Sequence, residues 1–375
     1  MSHTDQTSVF IDHIRSHAPR YYPALDSEKL GVQLLSKQER PSAMLYRFKV
    51  GNAAQNRSVF VKVPLRLTGN GQKSRNTYEK PQLFPKTEPR DMHWLHYTAL
   101  KTIYDYYTDL DKEQLGAIRV LDYLPQYHAI FTEESSDPKL RDLFFRENRL
   151  RSPFGHARLA AAFQNVGMWL RLYQMMPKDQ DVQVRHQGRS DYIEAITTIT
   201  DFLAKTLKRD SFFKEIASRL IETAHETLPE SLPLGLGHGD YAMRNILIGP
   251  NSRVTVLDTF AKWRAPVYED IGYFLTDLKL SSPQVLSRGL AFSPNQLTTY
   301  EESFLKGYFG QDPIPYRTIR LYEALALIDK WSSRTARAYQ QRNFIKKFVS
   351  RLNNKFINQY FEQRVKSLLA ELRES

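Results

Sequence analysis

The sequence predicts an α+β protein of two lobes. A small antiparallel β-sheet lobe with a helix and an N-terminal helical arm should occupy residues 1–134, and a larger, mainly α-helical lobe residues 135–375. Three observations carry this expectation. At 375 residues the chain exceeds what one hydrophobic core sustains, and 41% apolar residues suffice for two cores. Runs at 46–50, 58–63 and 127–134 read as strands, and residues 157–176 carry apolar residues at helical spacing. The polar break Ser135-Ser136-Asp137-Pro138 separates the two regimes.

Taken in order, Tyr46-Arg47-Phe48-Lys49-Val50 and Ser58-Val59-Phe60-Val61-Lys62-Val63 read as strands, joined by the loop Gly51-Asn52-Ala53-Ala54-Gln55-Asn56. The turn before them, Gln38-Glu39-Arg40-Pro41-Ser42-Ala43, lacks a Gly-x-Gly-x-x-Gly pattern, and Ser42 is its candidate for meeting phosphate through a backbone N–H. Lys62 sits inside the second strand between two valines. Most lysines are solvated surface groups, so Lys62 gains meaning only beside the acidic motif near residue 240. Residues 66–90 are polar and rich in Gly, Pro and Lys, and read as a long insertion in the small lobe. A helix is expected over Asp91–Tyr104. Tyr127 to Glu134 then reads as a strand, and a plain edge strand is its alternative reading. Residues 157–176 carry Leu159, Phe163, Val166, Trp169, Leu170 and Tyr173 at helical spacing, which marks a core helix without chemistry of its own.

The chemistry lies between Leu236 and Asp258. Asn245-Ile246-Leu247-Ile248 and Val254-Thr255-Val256-Leu257 are short apolar runs, and Gly249-Pro250-Asn251-Ser252 between them is turn chemistry. A hairpin is expected, folding Asn245 back towards Asp258. Two oxygen ligands at one mouth suit a hard cation, and Asp240 lies upstream on the same side. Phosphoryl transfer needs such a set: one Asp to orient a hydroxyl, with an Asn and an Asp to hold magnesium.

The run His238-Gly239-Asp240 with Asn245 five residues on resembles the aminoglycoside phosphotransferase and choline kinase-like family. The resemblance covers about residues 30 to 330 and is densest at 236–275. It implies a protein-kinase-like fold, a nucleotide-binding first lobe, and ATP or another NTP with Mg2+ as cofactors. By position it makes Asp240 the catalytic base, Asn245 and Asp258 the metal ligands, and His238 a brace for the loop. Lys62 would contact the nucleotide's inner phosphates, and the backbone around Phe131 to Glu134, Glu133 included, would hydrogen-bond the base. Asp270 would cap the next helix and tie the loop's backbone.

The chain also departs from that family's pattern. Thr259 follows Asp258 where an apolar residue is usual and no second acid follows closely, so one metal or two is open, and Lys262 is a further candidate to face the phosphates. His96 stands where related sequences place a Glu for the strand lysine, which leaves Glu88 or Asp91 as its partner. Arg244 has two readings: contact with a phosphate or substrate anion, or an ion pair with an acid such as Asp270.

With no Cys, disulfides, cysteine metal sites and thiol nucleophiles are excluded. No apolar run is long enough to span a bilayer, and the N-terminus lacks a secretion pattern, so a cytoplasmic protein is expected. The formal charge is +12, and residues 331–375 carry ten Lys or Arg against three Glu. Phe344, Phe348, Leu352, Phe356 and Tyr360 recur every four residues there, as in helices with one packed and one basic face. That face is either simply solvated or attracts an anionic substrate, a membrane surface or an acidic partner. No helix-turn-helix or aromatic-interleaved basic stripe points to specific nucleic-acid binding.

The sequence therefore predicts a phosphotransferase acting on a hydroxyl of a small molecule: a sugar, an amino alcohol or a related metabolite. A kinase-like nucleotide-binding module with little catalysis and a polyanion- or membrane-surface-binding protein are the alternatives. Acceptor specificity is expected between Lys279 and Tyr316, where Tyr300, Glu301 and Glu302 are equally well explained as helix surface.

Overall fold

A computed structural model describes residues 6–25, 30–40, 43–52, 55–64, 80–81, 83, 89–150, 153–177, 183–184, 188–259, 263–339 and 344–374. The chain divides into two compact units, one drawn from 1–72, 87–137 and 255–260, the other from 73–86, 138–254 and 261–375. The architecture is α+β, with an antiparallel sheet in the first unit and mostly helices in the second.

The first unit holds α1 (Gln6–Tyr21), β1 (Gly31–Glu39), β2 (Ala43–Gly51), β3 (Asn56–Pro64), α2 (Pro89–Asp109), β4 (Leu115–Ala117), β5 (Val120–Leu124) and β6 (Ala129–Glu133). Five of its strands form a sheet in the order β1-β2-β3-β6-β5. Strand alternation decides what each face does. Val59, Val61 and Val63 of β3 and Tyr46, Phe48 and Val50 of β2 are buried on one face. α1 covers that face with Phe10, Ile14, Ala18 and Tyr21, which share one helical stripe. Lys62, between the valines, must therefore emerge on the other face. It stands in register with Leu45 on β2 and Ile130 on β6.

The second unit holds α3 (Leu140–Leu150), α4 (Pro153–Met175), β7 (Gln183–Val184), α5 (Arg189–Leu207), α6 (Asp210–Thr227), β8 (Leu234–Leu236), β9 (Ile246–Ile248), β11 (Trp263–Pro266), α7 (Tyr268–Lys279), α8 (Ser282–Leu286), α9 (Pro294–Phe309), α10 (Tyr316–Tyr339) and α11 (Phe344–Glu374). After β9 the chain turns at Gly249–Arg253, where Gly249 N donates to Arg253 O at 2.8 Å, and passes through β10 (Val254–Val256) into the stretch 255–260. The expected turn chemistry is realised, with Asn251 and Ser252 in the left-handed region.

α4 buries Leu159, Phe163, Val166, Trp169, Leu170 and Tyr173, the stripe expected from its sequence. It packs against α9 so closely that a Cβ at Gly307 would overlap the carbonyl of Gln164, and one at Gly167 that of Phe304. Backbone cannot retreat as a side-chain tip can. Gly307→Ala should therefore destabilise the protein by about 1–3 kcal/mol, the usual range for forced overpacking, read as a lower urea midpoint.

A group of charges is sealed beneath α7. Lys279 Nζ lies 2.8 Å from Glu323 and 2.7 Å from Glu301; Arg320 pairs with both acids and with Glu371, and Arg364 lies 3.6 Å from Glu323. Burial would raise the Glu323 pKa, but Lys279 and Arg320 outweigh it and hold the carboxyl well below its ordinary range. A lowered native pKa means that Glu323 contributes stability above its unfolded pKa and loses it as pH falls towards the native value. Glu323→Gln should cost about 3 kcal/mol at neutral pH by stranding buried cations, and should flatten the stability loss below the ordinary glutamate range. Urea titrations from neutral to acid pH measure both effects.

Several expectations change. The small-lobe insertion at 66–90 falls mostly outside the described residues. Lys80 and Leu83 belong to the second unit, where Lys80 pairs with Asp329 at 2.5 Å and Leu83 packs on the helical core, while Pro89 and Arg90 open α2 in the first. The basic C-terminal region folds as helix, and Tyr360, Phe361, Val365, Leu368, Leu369 and Leu372 enter the core around Trp331. Phe344, Phe348, Leu352 and Phe356 have side chains outside the described residues. Of the basic residues there, Arg364 and Lys366 lie beside Glu323 and Glu362, so the face is not uniformly cationic. Among the described residues no helix is long and apolar enough to cross a membrane.

Candidate active site

In the second unit the loop after β8 is held by Asp270, near the start of α7. Its Oδ2 accepts the His238 amide at 2.8 Å, and its Oδ1 accepts the Gly239 amide at 2.9 Å. Burial pushes this carboxyl up, while His238 and the two amides oppose the shift. Tying of the loop is thus as expected, but helix capping is not. The N-cap is Val267, without a side-chain cap bond, because the Asp270 oxygens are turned to the loop. Gly239 adopts φ +75°, and a Cβ there would meet the Trp263 ring at 2.7 Å. A left-handed residue against an indole requires glycine. His238 is buried, and its Nδ1 accepts the Asp240 amide at 3.3 Å.

This scaffold presents Asp240 at a half-open position with both carboxylate oxygens engaged. Oδ1 accepts from the Arg244 guanidinium and, at 2.9 Å, from the Tyr273 hydroxyl; Oδ2 accepts from Asn245 Nδ2 at 3.0 Å. Asn245 Nδ2 also donates to the Asp240 carbonyl at 3.0 Å, so the amide oxygen is the end turned away. Burial would lower the Arg244 pKa, but the Asp240 charge raises it. Arg244 also lies 3.9 Å from Asp277. Its ion-pair reading is the one observed, with Asp240 as partner in place of the expected Asp270, whose oxygens the loop amides occupy.

Sequence reasoning missed Tyr273, Asp277 and Lys330. Lys330 Nζ sits 4.0 Å from the Tyr273 ring centroid and 3.2 Å from Asp277 Oδ1, and Asp277 Oδ2 accepts the Met243 amide at 3.1 Å. A signal existed for two of them. Asp270, Tyr273 and Asp277 are spaced i, i+3, i+7 and share one face of α7. Lys330, far along the chain on α10, gave none.

In the first unit, Lys62 Nζ donates to Asp258 Oδ1 at 2.9 Å. Asp258 has φ +54°, which turns the chain sharply after β10. Thr259 is buried behind it. Glu88 and the side chain of Asp91, the acids expected for Lys62, lie outside the described residues, as do Ser42 and Lys262. His96 is buried on α2.

The structure turns the Phe131 and Glu133 side chains away from the Lys62 face. Phe131 pairs with Val61, so its side chain takes the α1 face, where it lies 5.7 Å from the Phe10 ring and 4.9 Å from that of His13. Glu133 shares that face and stands 3.7 Å from Arg119. In the same segment the Glu133 amide donates to Arg119 O and the Glu134 amide to Ser58 O, both at 2.9 Å. Ile130 and Thr132 take the Lys62 face instead. Tyr300 and Glu301, named for the acceptor side, are buried in core and ion network, whereas Glu302 is exposed.

No family model and no curated protein sequence matches the chain. Solved structures do. A putative aminoglycoside phosphotransferase from Ralstonia eutropha is 12% identical, covers 95% of this chain and 98% of its own, and superposes with TM-score 0.52. Spectinomycin phosphotransferase APH(9)-Ia, in complex with ADP and spectinomycin, is 11% identical over 98% of each chain, with TM-score 0.51. A point mutant of aminoglycoside 2'-phosphotransferase IIIa, in complex with GDP, is 12% identical over 96% of this chain and 98% of its own, with TM-score 0.50. The chain has the protein-kinase-like fold of the aminoglycoside phosphotransferases, and its resemblance to them holds at the level of that fold.

Proposed function

We propose that the protein is an ATP- and magnesium-dependent phosphotransferase that moves the terminal phosphoryl group to a hydroxyl of a small molecule. The observation that carries this reading is the preassembled Asp240–Asn245 pair, with Asp240 half-open on a loop whose backbone Asp270 holds rigid. The similarity in fold to enzymes solved with ADP or GDP supports it.

Asp240 accepts a hydrogen bond from the acceptor hydroxyl and takes its proton as the new oxygen–phosphorus bond forms. The bond from that phosphorus to the nucleotide's bridging oxygen breaks, and the electron pair stays on the departing diphosphate. In a loose transition state, positioning and charge matter more than base strength. Asn245 and Tyr273 hold the carboxylate in one orientation. Lys62 contacts the inner phosphates, and its ion pair with Asp258 supports that role, since the ammonium already reaches an oxygen anion.

Asp258 and Asn245 each carry a hard oxygen donor of the kind magnesium takes, usually with several waters. Magnesium, when bound, neutralises charge on the phosphates. Arg244 and Lys330 beside Asp240 favour an acceptor bearing an anionic group over a polycation, since like charges at close range repel.

The test is magnesium-dependent ATP consumption by the intact protein across a panel of hydroxylated metabolites, with and without acidic groups. Turnover with at least one of them is expected. Nucleotide binding with no turnover on the whole panel would favour the binding-module reading, for which Arg244 and Tyr273 together on Asp240 Oδ1 is the specific support. Absence of both binding and turnover would sink the proposal.

A further inference from the structure

α1 carries a second constellation of ligating side chains, on the sheet face away from Lys62. His13 and His17 are four residues apart and share one helix face, with their ring centroids 4.2 Å apart. Both point towards Asp122 on β5, which pairs in register with Phe131. One ligand atom from each of the three lies within 4.8 Å of the others. We propose that His13, His17 and Asp122 bind a borderline divalent cation, zinc foremost, that pins α1 to the sheet.

The donor set is right for such an ion. Two imidazoles and a carboxylate suit zinc better than magnesium or calcium, which take oxygen. His17 Nδ1 lies 2.8 Å from the His13 carbonyl and 2.9 Å from Ser16 Oγ. A proton on Nδ1 is donated to that carbonyl, which fixes the tautomer with its lone pair on Nε2. Metal-binding histidines are oriented by this kind of outer bond.

The spacing is close to what coordination needs. His13 Nε2 and Asp122 Oδ2 are 3.2 Å apart, and ligands at the corners of a tetrahedron with bonds of 2.0–2.1 Å are about 3.4 Å apart. All three ligand atoms lie within 4.8 Å of one another, so none is more than about 1.4 Å beyond that spacing. Tyr21 donates its hydroxyl to Asp122 Oδ2 at 2.8 Å, and Asp122 Oδ1 accepts the Tyr123 amide at 2.9 Å, so the carboxylate is held in place. One group opposes the ion: Arg20 stands 3.7 Å from Asp122 Oδ2, but its side chain is 67% exposed and can turn to water.

His17→Ala separates a metal site from a plain hydrogen-bond cluster. The bonds among Asp122, His13 and Tyr21 do not use the His17 side chain. The full-length protein, stripped with a chelator and kept in excess magnesium, is titrated with zinc by calorimetry, and the melting midpoint is followed with and without zinc. We expect one zinc per chain at this site and a higher midpoint on binding. Outer-shell changes already cost about 10–100-fold in metal affinity, so His17→Ala, which removes a direct ligand, should cost at least about a hundredfold. His225→Gln, at an exposed histidine in the second unit, should change nothing. Should His17→Ala fail to fold, His17→Gln serves the same comparison. Zinc affinity and melting shift unaltered by the His17 variant, or no zinc bound by the wild type, would overturn the site.

Discussion

Asp240→Asn is expected to lower turnover by about three orders of magnitude while leaving ATP affinity within a small factor of wild type, because general-base and positioning contributions of this size are typical. The amide keeps the shape of the carboxylate, so the loop held by Asp270 and His238 stays in place. What is lost is the group that takes the hydroxyl proton and the charge that anchors Arg244. Single-turnover kinetics with ATP and the best acceptor would read the chemical step, and equilibrium titration the nucleotide affinity. Full turnover by the variant would remove Asp240 from the reaction. A loss confined to ATP binding would assign it to the nucleotide instead.

The second large effect is expected at Asp258. Asn is the informative substitution, since it tolerates the left-handed backbone that Asp258 adopts, whereas Ala would add conformational strain. Asp258→Asn should therefore melt close to wild type yet lose the magnesium-dependent part of nucleotide affinity, by about a hundredfold or more for loss of a direct ligand. Lys62, relieved of this ion pair, should still attract the phosphates, leaving weak magnesium-independent binding. Calorimetric titration of ATP with magnesium and with a chelator measures the difference. Equal affinities for wild type and variant in magnesium would show that Asp258 holds no metal.

Several of these residues could be placed from local pattern. Lys62 falls on the non-core side of β3 because strand side chains alternate and its valine neighbours are apolar. The turn at Gly249–Arg253 came from turn chemistry, and the buried stripe of α4 from its 3.6-residue period. Partner choice was less legible. Arg244 could have met any nearby acid, and only the orientation of the loop gave it Asp240. Tyr300 and Glu301 read equally well as acceptor lining or as helix surface, because which face a helix exposes depends on what packs against it.

Short-range rules thus determined the fold class, the strand that carries Lys62, and the order Asp240, Asn245, Asp258. Backbone dihedrals, side-chain alternation and turn preferences act over a few residues, so they are written in consecutive positions. The tertiary structure alone decided that Asp258 receives Lys62, that Tyr273 and Arg244 share one oxygen of Asp240, and that His13 and His17 face Asp122. Each of those contacts joins groups whose approach depends on how whole elements pack or turn, and desolvation and hydrogen-bond satisfaction select it only once the surrounding core has formed.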